Sequence, residues 1–205
     1  MQVSHLSVAF ALAVFLGSCS PRDRATSIPT VPPVSAHRQI PVAPEKSTGL
    51  TPSQKTRIGM RIWKNESAGK ITGLTHWNEG EEFPSLGIGH FIWYPSGFDG
   101  RWTETWPEFI RFAQQRRTPN IPAVALLPDC PWASRNEFQR KFNDPALSGL
   151  RRWLTGSIEL QTDFIMAKSR AALPKIMTAA PPDHRSHLRE CYDNVASTAN
   201  GTYAL

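Results

Sequence analysis

A glutamate at position 66 continues an apolar stripe. Ile58, Ile62 and Glu66 stand at i, i+4 and i+8 in a stretch that opens on Thr51-Pro52, a capping residue followed by a first-turn proline. That spacing predicts a helix running to about Asn65, with a carboxylate on the isoleucine face at its C-terminal end. Loss of water and the negative helix end would both raise the pKa of such a carboxyl, as a general acid working near neutral pH requires. The competing reading is an exposed glutamate just past a fraying helix. Further on, residues 84–94 read PSLGIGHFIWY: two glycines around an isoleucine, one histidine and three aromatic rings. Three readings are open for this stretch: a phosphate-cradling loop, a buried structural hairpin, or the wall of a sugar-binding cleft.

The elements that must hold these residues can be read coarsely. Gly69 to Thr75 suits a turn and a short strand, Asn78 to Gly80 a tight turn, and Leu86 to Trp93 a strand or extended loop. If it is a strand, Phe91 and Trp93 share one face, and Ile92 and Tyr94 the other. Beyond it, helices are expected over Thr105–Arg117, Pro131–Phe142, Ser157–Leu173 and Asp183–Ala196. Within the third, Ile158, Ile165 and Ala172 recur, with Leu160 and Phe164 beside them. The predicted class is α+β, mainly helical, with one small β-lobe near the start of the domain.

Three segments divide the chain. Val8 to Leu16 is wholly apolar, too short to span a bilayer and of the length of a secretory core region. It leads into Leu16-Gly17-Ser18-Cys19, which resembles the bacterial lipobox. On that resemblance residues 1–18 are a lipoprotein signal peptide, Cys19 is the lipidated residue, and the mature chain is anchored in the cell envelope. Ser20 carries no inner-membrane retention signal of the aspartate kind, so the periplasmic face of the outer membrane is the expected destination. Residues 19–50 contain six prolines and few bulky apolar groups, and read as a disordered tether. All seven tryptophans and eight of the ten phenylalanines fall after Leu50, so residues 51–205 are the folding domain.

Composition and motifs exclude several chemistries. The formal charge of +6 leaves the domain only mildly basic, and Arg116-Arg117 and Arg151-Arg152 are pairs rather than a stripe, so no nucleic-acid partner is expected. Gly87-Ile88-Gly89 begins neither a dinucleotide fingerprint nor a Walker loop, which removes the phosphate reading. His184 and His187 lack the spacing of a zinc site, and neither a metal nor another cofactor is expected. No serine or cysteine lies in a nucleophile motif. Cys130 and Cys191 could pair in an oxidising compartment, although nothing in the sequence makes them neighbours.

What remains is a carboxylate at a helix end followed by a glycine-rich, aromatic lobe. Glu66 with Ser85-Leu86-Gly87-Ile88-Gly89-His90 resembles phage-type lysozymes, in which a helix-terminal glutamate precedes a hairpin carrying a T-x-G-x-G-H motif. Ser85 stands in the threonine position, and the Glu66–Ser85 interval is four residues longer than in that family. The wider pattern, IWKNE and then WNEGEEFPSLGIGHFIWYP, is similar to a family of bacterial exported proteins with a lysozyme-like fold. Members of that family continue past the point where Gly201–Leu205 ends this chain, so the resemblance also implies a C-terminally truncated copy.

The resemblance implies cleavage of peptidoglycan glycan strands, with Glu66 as general acid. Glu79, Glu81 and Glu82 are candidates for a second carboxylate, and the family pattern favours Glu81; a solvated turn is the alternative for all three. Ser85 and His90 would position the carboxylates or the substrate, Gly87 and Gly89 would let backbone amides approach the sugar, Trp77, Phe91, Trp93 and Tyr94 would offer flat faces for sugar rings, and Asn78 would bind substrate beside them. If Glu66 acts alone, a lytic transglycosylase is implied, since there a hydroxyl of the sugar attacks. A non-catalytic peptidoglycan-binding lipoprotein is the reading from a different class. The sequence leaves the oligomeric state open.

Overall fold

The structure, a computed structural model, describes residues 50–205. The signal segment, the Cys19 anchor and the tether up to residue 49 lie outside the described residues. The domain is mainly helical, with one small antiparallel sheet. No helix among the described residues is long and apolar enough to cross a membrane.

Helix α1 spans Pro52–Ser67 and opens on a capping box: Thr51 accepts from the Gln54 amide, and the Gln54 side chain accepts from the Thr51 amide. Its buried stripe runs through Ile58, Gly59 and Trp63. This corrects the expected face. Ile62 is half-buried and Glu66 exposed, so the Ile58–Ile62–Glu66 row forms one edge of the stripe and not its centre. The shift has a local cause, since Gly59 admits the long helix α5 (Ile158–Ala179) against the backbone of α1.

A β-carbon added at Gly59 would fall 2.3 Å from Thr162 Oγ1 and 2.6 Å from Ile158 Cγ2. Helix propensity favours alanine over glycine by roughly 1 kcal/mol, whereas overpacking of this kind costs about 1–3 kcal/mol. Gly59→Ala should therefore lower the melting temperature. Gly149→Ala is the opposite case, because its β-carbon would meet nothing nearer than an arginine nitrogen at 4.0 Å. That variant should melt at or above the native temperature, and equal shifts for the two would refute the close α1–α5 approach.

The sheet is built from three two-residue strands, β1 (Thr75–His76), β2 (Ser85–Leu86) and β3 (Phe91–Ile92), in the order β1-β2-β3. Its register pairs Thr75 with Leu86, His76 with Ser85, Ser85 with Ile92 and Leu86 with Phe91. Helices α2 (Trp106–Gln115), α3 (Arg135–Arg140) and α4 (Pro145–Gly156) follow, then α5, α6 (Arg185–Ala196) and α7 (Ala199–Ala204). Between sheet and helices lies one aromatic core. Phe91 stacks on Phe109 with centroids 4.6 Å apart, and Trp93 lies between Trp106 at 5.4 Å and Trp132 at 6.0 Å. Phe164 of α5 closes on Phe91, Phe109 and Phe112.

Two expected pairs are separated. Arg151 is buried, donating to Thr75 Oγ1 at 3.0 Å and to the Phe142 carbonyl, while Arg152 is exposed. Cys130 and Cys191 form no disulfide: Cys130 is buried beside Trp132 and Cys191 is exposed on α6. Burial pushes the Cys130 thiol up to about 12, which makes it an inert packing group.

Candidate functional site

The last turn of α1 is fixed by a reversal of the chain. Ala68 and Gly69 both take left-handed backbone conformations, with φ of 54° and 69°. Their amides converge on the Trp63 carbonyl, and the Trp63 indole donates to the Lys70 carbonyl at 3.1 Å. Glu66 is held on this turn with half of its side chain exposed. The burial expected of its carboxylate is therefore only partial.

Opposite it, residues Gly87 to His90 make the turn between β2 and β3. Gly87 has φ of +70°, and its amide donates to the Leu74 carbonyl at 2.8 Å. The next amide, of Ile88, donates to Oε1 of Gln161, a fully buried side chain reaching in from α5. Nε2 of Gln161 donates in turn to the Leu154 carbonyl at 2.7 Å, so one amide side chain ties the β-turn to the α4–α5 junction. Both glycines are dictated by packing. A β-carbon at Gly87 would meet Gln161 Oε1 at 2.5 Å, and one at Gly89 would meet the Phe91 ring at 2.6 Å. This revises the role expected for Gly87, because the Gly87 and Ile88 amides are committed inside the protein and are not turned toward a ligand.

His90 closes the turn with φ of 49°, a conformation uncommon for a residue with a side chain. Its Nδ1 lies 3.8 Å from Glu66 Oε2, too long for a hydrogen bond but close enough for charge to be felt. Glu81 and His76 also act on the imidazole electrostatically, so Glu66, His76, Glu81 and His90 share one neighbourhood. Burial pushes the His90 imidazole below its ordinary 6.5; Glu66 and Glu81 oppose that shift, and His76 adds to it. The ring is thus neutral at pH 7.

A testable consequence follows from the sign of that shift. Between the folded value and 6.5 the unfolded chain holds more of this proton, so the stabilising contribution of His90 is complete above 6.5 and lost as pH falls through the folded value. Asparagine tolerates the left-handed backbone and does not titrate. His90→Asn should lose less melting temperature than the native chain between about pH 7.5 and pH 5. Parallel curves would show that His90 has no such linkage.

Glu81 is held on its own loop. The Trp77 indole donates to the Glu81 carbonyl at 2.7 Å, Asn78 Nδ2 donates to Glu81 Oε2 at 3.0 Å, and Arg135 Nε of α3 donates to the Trp77 carbonyl at 3.1 Å. Gly80, with φ of +81°, makes the expected tight turn, and Glu79 and Glu82 on either side are exposed. Among the three acidic candidates Glu81 alone is partly buried. Ser85 is buried in β2, between His76 and Ile92 on its flanking strands.

The aromatic residues behave differently from expectation. Trp77 and Trp93 are about 1% exposed or less, and Tyr94 is 7% exposed with its hydroxyl donating to the Trp102 carbonyl. None of the three offers a free face for a sugar ring. The alternation argument assumed a strand through Tyr94. Instead β3 ends at Ile92, and the chain is then covered on both sides, with the Cys130 amide donating to the Tyr94 carbonyl and Pro95 bridging to Cys130.

Two residues that share or support this neighbourhood were not singled out from the sequence. His76 lies next to the Trp77-Asn78 segment, and only its pairing with Ser85 brings it into the group. Gln161 lies 73 residues from Ile88. Nothing local marks it, because Glu159, Thr162 and Asp163 beside it are polar as well. No protein-family model, no curated protein and no solved structure matches this chain.

Proposed function

We propose that the chain is a lysozyme-like enzyme that cleaves the glycan strands of peptidoglycan, a muramidase with Glu66 as its general acid. The observation carrying this reading is the approach of Glu66 to His90, which sets a helix-end carboxylate against the glycine-rich turn with Glu81 in the same electrostatic field. Glycoside cleavage requires a proton for the leaving oxygen and a negative group for an oxocarbenium-like centre. Glu66 supplies the first, from a position reached by solvent and substrate alike. Glu81 supplies the second, oriented by the Asn78 amide.

On this reading sugar recognition falls to polar groups of the lobe, since the Trp77, Trp93 and Tyr94 rings lie in the core. The protein acts in the cell envelope, held by a lipid on Cys19. Digestion of purified peptidoglycan by the full chain, with products identified by mass spectrometry, tests the proposal. Reducing sugar ends are expected. Anhydro ends would mean a lytic transglycosylase, in which Glu66 works without Glu81. A folded chain that binds peptidoglycan and releases nothing would overturn the enzymatic reading in favour of a wall-binding lipoprotein.

A further inference from the structure

A concavity lies at the other end of α1 from Glu66. It is a cleft of about 720 Å³ between the C-terminal end of α2 and the α4–α5 junction, lined among others by Arg117, Asn120, Arg152, Trp153, Glu159 and Asp163. Lys55, in the first turn of α1, is tied to Asp163 at 2.8 Å. Glu66 stands eleven residues further along the same helix, roughly 16 Å away at 1.5 Å per residue. The cleft and the Glu66 neighbourhood are therefore separate places on the domain.

Its charges are unevenly used. Asp163 is buried and fully occupied, accepting from Lys55 and from Arg116. The side chains of Arg117 and Arg152 are exposed at the cleft, and neither guanidinium has an ion-pair or hydrogen-bond partner among the described residues. Glu159 is the one lining carboxylate left to oppose them.

Arg117 also stands where side chains are usually avoided. Helix α2 ends in a Schellman motif, with the Thr118 amide donating to the Ala113 carbonyl and the Arg117 amide to that of Gln114. The residue between takes the left-handed conformation, φ of 53°, for which glycine is the usual choice. Here a long cation occupies that position at the mouth of a cleft.

We propose that this cleft binds a small polyanion, a molecule or chain end carrying two or more phosphate or carboxylate groups. Arg117 and Arg152 grip its charged groups, and Trp153 forms the wall against which the rest lies. Both kinds of oxyanion present paired oxygens that fit a guanidinium fork. The site does not depend on glycan cleavage by Glu66.

The test is calorimetric titration of the full chain, at low salt, with inorganic tripolyphosphate and separately with citrate. Binding of at least one probe is expected, weakened tenfold or more by Arg117→Gly and by Arg152→Gln, a loss of about 1.4 kcal/mol. Arg101→Gln, on a loop outside the cleft, should leave it unchanged. Preference for tripolyphosphate would indicate a phosphorylated ligand, and preference for citrate a carboxylated one; either supports the site. Arg117→Gly relieves the left-handed backbone, so it should melt no lower than the native chain and its loss of binding cannot come from unfolding. No heat with either probe, or binding that both variants leave intact, would overturn the proposal.

Discussion

On the proposed muramidase activity, replacing Glu66 by glutamine should lower the rate of glycan cleavage about 10²–10⁴-fold, the usual contribution of a positioned general acid. The amide keeps the size of the side chain but carries no acidic proton. No neighbour can take over the role, because His90 is neutral at pH 7 and Glu81 is anchored to Asn78 on a separate loop. The folded state should hardly notice: a half-exposed side chain with no hydrogen bond to His90 leaves stability within about 0.5 kcal/mol. The check is the rate of release of reducing ends from purified peptidoglycan by native chain and variant, with melting curves alongside. A variant that keeps the native rate would remove Glu66 from the chemistry. Loss of both cleavage and fold would show that its role is structural.

Gly87→Ala should produce the largest loss of stability among single substitutions in the lobe. A β-carbon there has to adopt φ of +70° and lies 2.5 Å from Gln161 Oε1 and 3.1 Å from the Phe91 ring. The backbone conformation costs an alanine about 1–2 kcal/mol and the overlap a further 1–3 kcal/mol, so roughly 2–5 kcal/mol is expected. For a domain of this size that lowers the melting temperature by about 5–15 °C. Gly97→Ala isolates the backbone part, because Gly97 has φ of +78° with nothing within 4 Å of its β-carbon. Its smaller shift should leave a difference equal to the overlap. Gln161→Leu should destabilise on its own by leaving the Ile88 amide buried without a partner, about 1–3 kcal/mol. Combined with Gly87→Ala it should fall short of additivity, since each change spoils the same contact. Full additivity would mean that Gln161 and the turn are not coupled.

How far sequence reasoning reached depended on how local the determinants were. The start of α1 was legible in Thr51-Pro52, and the small sheet among helices followed from where the glycines and the periodic segments lie. Helix α4 begins on Asp144-Pro145, as plain a start signal as that of α1, yet no separate helix was assigned there. Helix α3 starts later than expected, at Arg135 behind its Ser134 cap, because Cys130 is drawn into extended pairing with Tyr94 and Pro95. Helix α5 runs to Ala179 through Pro174, where a stop at Leu173 was expected. Helix α7 has weak helix formers, and its support is tertiary, from Tyr203 against Asn65 and beneath Arg61 of α1.

The site divides in the same way. That Glu66 and the 84–94 stretch deserve to be considered together was readable from residue types and order. Which aromatic rings face outward was not, because alternation needs a strand longer than two residues. The partner of the Ile88 amide was out of reach, since nothing near either residue connects position 88 with position 161. The centre of the α1 stripe was missed for a simpler reason. A glycine contributes no hydrophobicity to a periodic pattern, yet at Gly59 the side chains of Ile158 and Thr162 from α5 fill the place of a β-carbon.

The span of the α1–α5 contact bears on how the domain comes into being. Lys55 waits for Asp163, 108 residues later, and Gly59 for Ile158 and Thr162. Contacts of such long sequence separation form slowly and late. On the ribosome, α1 emerges among the first elements of the domain but has nothing to dock against until more than a hundred further residues have been made. Glu66 and His90, although only 24 positions apart, owe their approach to Gln161 and α5 on the far side. The carboxylate therefore stays unplaced through most of synthesis and acquires its neighbours in one late step.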